Sequence, residues 1–142
     1  MKQTVWIAEP TDYSKEALRL YGEIGEVHEA AEDENLAKDH LAFNVATILV
    51  VRLKYTIDAA WLDRMPHLKI IASPTTGFNH LDIVEIKKRS IKLISLRGHT
   101  SFLKDITSTA ELALGLLLAL VRKISHAFED VKMGNWNRDK FK

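Results

Sequence analysis

Ile48-Leu49-Val50-Val51 constrains the fold more than any other stretch: four apolar residues, three of them β-branched, between Thr47 and Arg52. A short apolar run bounded by polar residues describes a strand covered on both faces, and such a strand belongs in the middle of a parallel sheet with helices above and below. The rest of the chain supplies both. Residues 5–8, 25–30, 68–72 and 92–96 read as further strands, the second of them weaker. Helical spacing places Ala17, Leu18 and Tyr21 on one face of a helix over residues 14–21. It points Ala59 and Leu62 inward in residues 58–65, and Ile83 and Ile86 inward in residues 81–89. The acidic run from Glu32 to Glu34 opens a short helix or loop bearing Leu36 and Leu41 and reads as a solvated face.

Five strands separated by helices, joined by right-handed crossovers, predict an α/β fold: a flavodoxin-like, doubly wound, parallel five-stranded sheet. At 142 residues the chain can bury about two-thirds of the surface its unfolded form exposes. A net charge of +1 argues against a general attraction to nucleic acid. The absence of cysteine excludes disulfides and thiol catalysis and fits a reducing compartment. The opening MKQTVWIAEP runs into a strand pattern without an apolar signal core, so a cytoplasmic location is expected.

Beyond the fifth strand the pattern changes. Residues 97–107 read as a polar loop, and Ser108 with Glu111 forms a capping box that starts a long apolar helix reaching about Ile124. A second helix over 125–133 and the polar tail GNWNRDKFK follow, which divides the chain into a sheet domain, 1–104, and a helical extension, 105–142. The helix contains LALGLLLALV, too short to span a bilayer, which takes roughly 20 apolar residues. A helix apolar on every side must be buried on every side, which predicts a homodimer built through the segment from Thr107 to Phe128.

The segment KIIASPTTGFNHLD, from Lys69 to Asp82, reads as a buried strand, a polar turn around Gly77 and a helix start with Asn79 and Asp82 in a capping arrangement. Backbone N–H groups at such a strand-to-helix edge can hold a small carboxylate or phosphate; the same pattern also serves as an ordinary β-to-α connection.

The order strand, TTGFNHLD, helix, IKLI strand, STAELALGLLLALVRKI and GNW resembles the N-terminal region of the D-2-hydroxyacid dehydrogenases, the group that includes phosphoglycerate and glycerate dehydrogenases. The specific combination is Gly77 with Asn79, His80 and Asp82, followed by Thr109-Ala110-Glu111 and its apolar helix. The resemblance implies that the turn formed by Thr75, Thr76, Gly77 and Phe78 binds the substrate carboxylate through backbone amides, those of Thr76 and Gly77 above all, with Gly77 at positive φ. It also implies a substrate-facing position at Arg52 and Leu53, although an arginine at a strand terminus is commonly a solvated charge.

On this resemblance the chain is the truncated N-terminal portion of an NAD-dependent enzyme that interconverts 2-hydroxy and 2-oxo acids, inactive alone. The family's Arg, Glu and His are expected in a missing Rossmann domain, and NAD is not expected to bind here. Gly22, Gly25, Gly77, Gly98, Gly115 and Gly134 nowhere form G-x-G-x-x-G. The six histidines, His28, His40, His67, His80, His99 and His126, offer no i, i+4 pair for a metal. His80 reads best as a residue that orders the turn through a backbone hydrogen bond, and the run Lys87-Lys88-Arg89 as a solvated helix end. The competing expectation is a non-enzymatic carboxylate-binding or signalling dimer. Its phospho-acceptor version is opposed by Arg52 standing where a receiver needs an aspartate.

Overall fold

The computed structural model describes residues 3–30 and 41–141, so the acidic run from Glu32 to Glu34 and Leu36 lie outside the described residues. The chain divides into two compact units, Met1–Gly98 and His99–Lys142.

In the first unit, β1 (Gln3–Ile7), α1 (Lys15–Ile24), β2 (Gly25–Glu29), α2 (Leu41–Val45), β3 (Ile48–Val50), α3 (Ala59–Asp63), β4 (Ile70–Ser73), α4 (Ile83–Lys88) and β5 (Lys92–Ser95) follow in order. The five strands pair in parallel in the order β2-β1-β3-β4-β5, with β3 at the centre. This is the flavodoxin-like order, whose direction of growth reverses between β1 and β3. All carboxyl ends of the strands therefore meet at one edge.

Period-2 alternation divides the strand residues between two cores. Trp6, Leu49, Val51 and Ile71 face one side, where Phe43 of α2, Leu62 of α3 and Ile86 of α4 cover them. Val5, Ile7, Ile48 and Val50 face the other, against Leu18 and Tyr21 of α1. Trp6 and Phe43 meet edge to face at 5.6 Å, and Phe43 in turn meets Trp61 at 5.3 Å.

The caps fix where the helices begin. Ser14 accepts from the Ala17 N–H, and Asp58 from the Trp61 N–H. At the β4–α4 connection the cap is Asp82 itself, which accepts from Val84 and Glu85, rather than Asn79 as the sequence pattern suggested. Gly25 ends α1 and opens β2 where a Cβ would lie 2.2 Å from the backbone oxygen of Gln3, so the close approach of β2 to β1 demands glycine. The basic run at the end of α4 is engaged as well as solvated: Lys88 and Arg89 pair with Glu85, and Arg89 also with Asp63.

The second unit comprises α5 (Thr100–Leu103), α6 (Ser108–Val121), α7 (Ile124–Lys132) and a 3₁₀ turn (Arg138–Phe141). The segment expected as a polar loop thus contains a helical turn, α5. The cap of α6 is Thr107, one residue before the expected Ser108, and its hydroxyl donates to the Glu111 carboxylate instead of bonding the backbone. The helix stops at Val121, short of Ile124, because Lys123 adopts the left-handed conformation at φ 50° and breaks the ladder. Leu112, Leu116 and Leu120 are 63%, 62% and 78% exposed, and Asp130 is the unit's buried residue among those described, bonded to Asn135 and Lys140. No described helix is long and apolar enough to cross a membrane.

Candidate functional site

β4 ends at Ser73, and the chain turns through Pro74, Thr75, Thr76, Gly77 and Phe78 before Asp82 caps α4. The frame of this turn is tied down at several points. The Thr75 N–H donates to the Ser73 carbonyl at 2.7 Å, the Leu96 N–H reaches the Thr75 carbonyl at 3.1 Å, and the Leu81 N–H closes on Phe78 at 2.9 Å. Hydroxyls continue the frame inward: Thr75 Oγ1 donates to the Gly77 carbonyl at 3.0 Å, and the Ser73 hydroxyl lies 2.9 Å from Thr75 Oγ1.

Behind it, His80 Nε2 lies 3.1 Å from the buried Ser73 hydroxyl, while His80 Nδ1 is buried with no partner among the described residues. His80 therefore orders the turn through a side-chain hydroxyl, not through a backbone bond made by its ring. Burial holds its imidazole below the ordinary histidine range, with the Glu9 carboxylate pulling the other way.

Within this frame the N–H groups of Thr76, Gly77 and Phe78 make no hydrogen bond to any described residue. Thr76 and Gly77 are exposed, and the Arg97 guanidinium stacks over the Phe78 ring at 4.8 Å, bringing a positive charge beside the turn. Gly77 does not have the positive φ expected of it; the positive-φ glycines are Gly98 and Gly134. A Cβ at Gly77 would meet no atom within 4 Å, so nothing in the fold itself requires glycine there.

At the neighbouring switch point between β1 and β3, the same kind of backbone nest is filled from within. Glu9, 9% exposed, follows β1 and accepts from the N–H groups of Arg52, Leu53 (3.2 Å) and Lys54 (2.6 Å). The Arg52 guanidinium donates to the Thr11 carbonyl at 2.8 Å and lies over the Tyr13 ring. Burial pushes the Tyr13 phenol up to about 12, with Tyr21 adding to the rise and Arg52 opposing it. A cavity of about 450 Å³ opens here, lined by Glu9, Pro10, Thr11, Arg52, Lys54 and Tyr55.

The fold brings both sets of expected residues to the same edge. The Val51 N–H bonds Ala72 across β3 and β4, and a bridge joins Ile57 to Leu81, so the loop carrying Arg52 and Leu53 and the loop carrying Thr75 to Phe78 are stapled together. Leu53, 69% exposed, projects no polar group toward the turn. Sequence reasoning noted Glu9 only as an acidic residue after the first strand, weighed for the phospho-acceptor alternative, and did not foresee its bonds to the loop after β3; it missed Arg97 at this edge. Neither carries a local motif; only strand order places them.

The turns after β1, β3 and β4 contain one glycine between them, Gly77, and therefore do not fit a dinucleotide pyrophosphate. No cluster of potential metal ligands occurs among the described residues.

Comparison with known proteins places this edge in context. The chain is 32% identical over 140 residues to a hydroxypyruvate reductase of Thermotoga maritima, covering 97% of this chain and 43% of that protein. It is also 32% identical over 138 residues to a D-3-phosphoglycerate dehydrogenase of Archaeoglobus fulgidus, covering 96% and 25%. Its fold matches a D-lactate dehydrogenase of Aquifex aeolicus, solved with NAD and lactic acid, with a TM-score of 0.76 at 19% identity over 94% of this chain and 38% of that one. The chain spans less than half the length of these relatives. Residues 5–114 match the family model for the catalytic domain of D-isomer specific 2-hydroxyacid dehydrogenases, and the chain belongs to that family.

Proposed function

We propose that this chain forms the substrate-binding side of a D-isomer specific 2-hydroxyacid dehydrogenase, gripping the carboxylate of a small 2-hydroxy or 2-oxo acid with the backbone N–H groups of Thr76 and Gly77. The supporting observation is the run of unused amides that includes Thr76 and Gly77, in a turn tied down on either side, at the sheet edge where ligands bind in open α/β folds. Phe78 and Arg97 would shield and attract the anion, while the Ser73, Thr75 and His80 side chains hold the turn so that little ordering is lost on binding.

In this reading NAD accepts or donates the hydride in the whole protein. The described residues hold the acid in place and contribute no acid–base pair, so these 142 residues alone are expected to leave NADH unoxidised in the presence of 2-oxo acids. The exposed leucines of α6 support a homodimer through the stretch from Thr107 to Phe128, and the lack of cysteine supports a cytoplasmic setting. Arg52 and Leu53 belong to the same proposal as the wall of the site beside the turn.

An amide-resolved NMR titration with glyoxylate tests the reading. Saturable shifts at Thr76 and Gly77 are expected; unmoved amides at both, up to millimolar acid, would overturn it.

A further inference from the structure

Resting on that reading, we propose that Glu9 makes the site selective for acids with a single anionic group, by filling from within the only other anion nest described at this edge. The loop after β3 presents three consecutive N–H groups, those of Arg52, Leu53 and Lys54, converging on one point, a geometry that captures an anion wherever one is available. The chain supplies its own. The Glu9 side chain is nine-tenths buried and reaches the point from the end of the adjacent strand β1, 43 to 45 residues away in sequence.

The nearby cations are engaged too. Arg52 spends an N–H on the Thr11 carbonyl and its face on the Tyr13 ring, and the Lys54 ammonium lies 5.2 Å over the Tyr55 ring. A second anionic group reaching from the Thr76–Gly77 turn toward the switch point would meet a carboxylate where it needs donors, and the juxtaposition of like charges disfavours it unless the nest is vacated. An uncharged hydroxymethyl or methyl group would meet no such penalty, and the cavity of about 450 Å³ leaves room for it.

The matched pair of probes is D-glycerate and D-3-phosphoglycerate, which differ only by the phosphate. In the NMR titration D-glycerate is expected to shift Thr76 and Gly77 at concentrations about tenfold or more below D-3-phosphoglycerate. Glu9→Gln, which keeps the shape and removes the charge, is expected to narrow that gap by strengthening the phosphorylated ligand while leaving D-glycerate unchanged.

Wild-type chain that binds D-3-phosphoglycerate as tightly as D-glycerate would overturn the proposal, and this comparison needs no variant to fold. A gap unchanged in a folded Glu9→Gln would overturn it as well. Failure of both ligands to move Thr76 and Gly77 would instead sink the carboxylate-turn reading, so the two failures are distinguishable.

Discussion

Two loops at one sheet edge use the same chemistry to opposite ends. After β3, three backbone N–H groups are spent on Glu9, and the loop becomes part of the structure. After β4, the N–H groups of Thr76, Gly77 and Phe78 are left unspent within a turn whose frame is bonded on either side. The difference teaches that a backbone nest is open to an outside anion only when no side chain of the same protein reaches it. At β3 the reach comes from β1, which lies next to it in the sheet; on the other side of β4 stands β5, and the residues just after it bring Leu96 to the turn's carbonyl and Arg97 to its Phe78 ring, but no carboxylate.

The comparison can be broken most forcefully at Glu9. Glu9→Ala strips three N–H groups of their shared acceptor in a largely buried site, and a loss of about 3 kcal/mol in urea unfolding is expected. An unchanged midpoint would show that the nest is not held by Glu9. Next comes the cap that ends the β4 turn: Asp82→Ala removes the acceptor for Val84 and Glu85 and is expected to cost about 1 kcal/mol by the same measurement.

A smaller effect follows from His80. Burial lowers its folded-state pKa below the unfolded value of about 6.5, so the unfolded chain binds more protons as the pH falls through that value. The His80 contribution is therefore fully present above about pH 7 and is lost as the pH falls below about 6.5. His80→Gln should flatten that part of the pH profile, and a wild-type profile that stays flat on acidification below about pH 6.5 would remove His80 from the account. The smallest stability effect is at Gly77. A Cβ there meets no atom, so Gly77→Ala should unfold within about 0.5 kcal/mol of wild type while weakening the glyoxylate-induced shifts at Thr76. Full binding by the alanine variant would mean that the acid does not approach this backbone closely.

Much of the scaffold was legible because its signals are local. The β-branched run at residues 48–51 could only be an interior strand, and β3 is the centre of the sheet. The helices expected to begin at residues 14 and 58 do so, since the Ser14 and Asp58 caps act over only three residues. The helix ends were less so. Lys123 breaks the α6 ladder through a backbone conformation that nothing in RKI announces, and Thr107 displaced Ser108 as cap when its hydroxyl turned to Glu111.

The TTGFNH turn was legible as a connection with unbonded amides, because proline, glycine and a capped helix start are local signals of a strand-to-helix turn. Gly77 was expected for the wrong reason: its φ is ordinary, and only the open space beside it leaves a role for glycine.

By itself the sequence determined the alternation of strands and helices, the central strand and the turn with free amides, since each follows from patterns a few residues long. Tertiary structure alone decided which nest stays open, because that depends on a carboxylate 43 to 45 residues away along the chain, and only the order of strands brings it within hydrogen-bond reach.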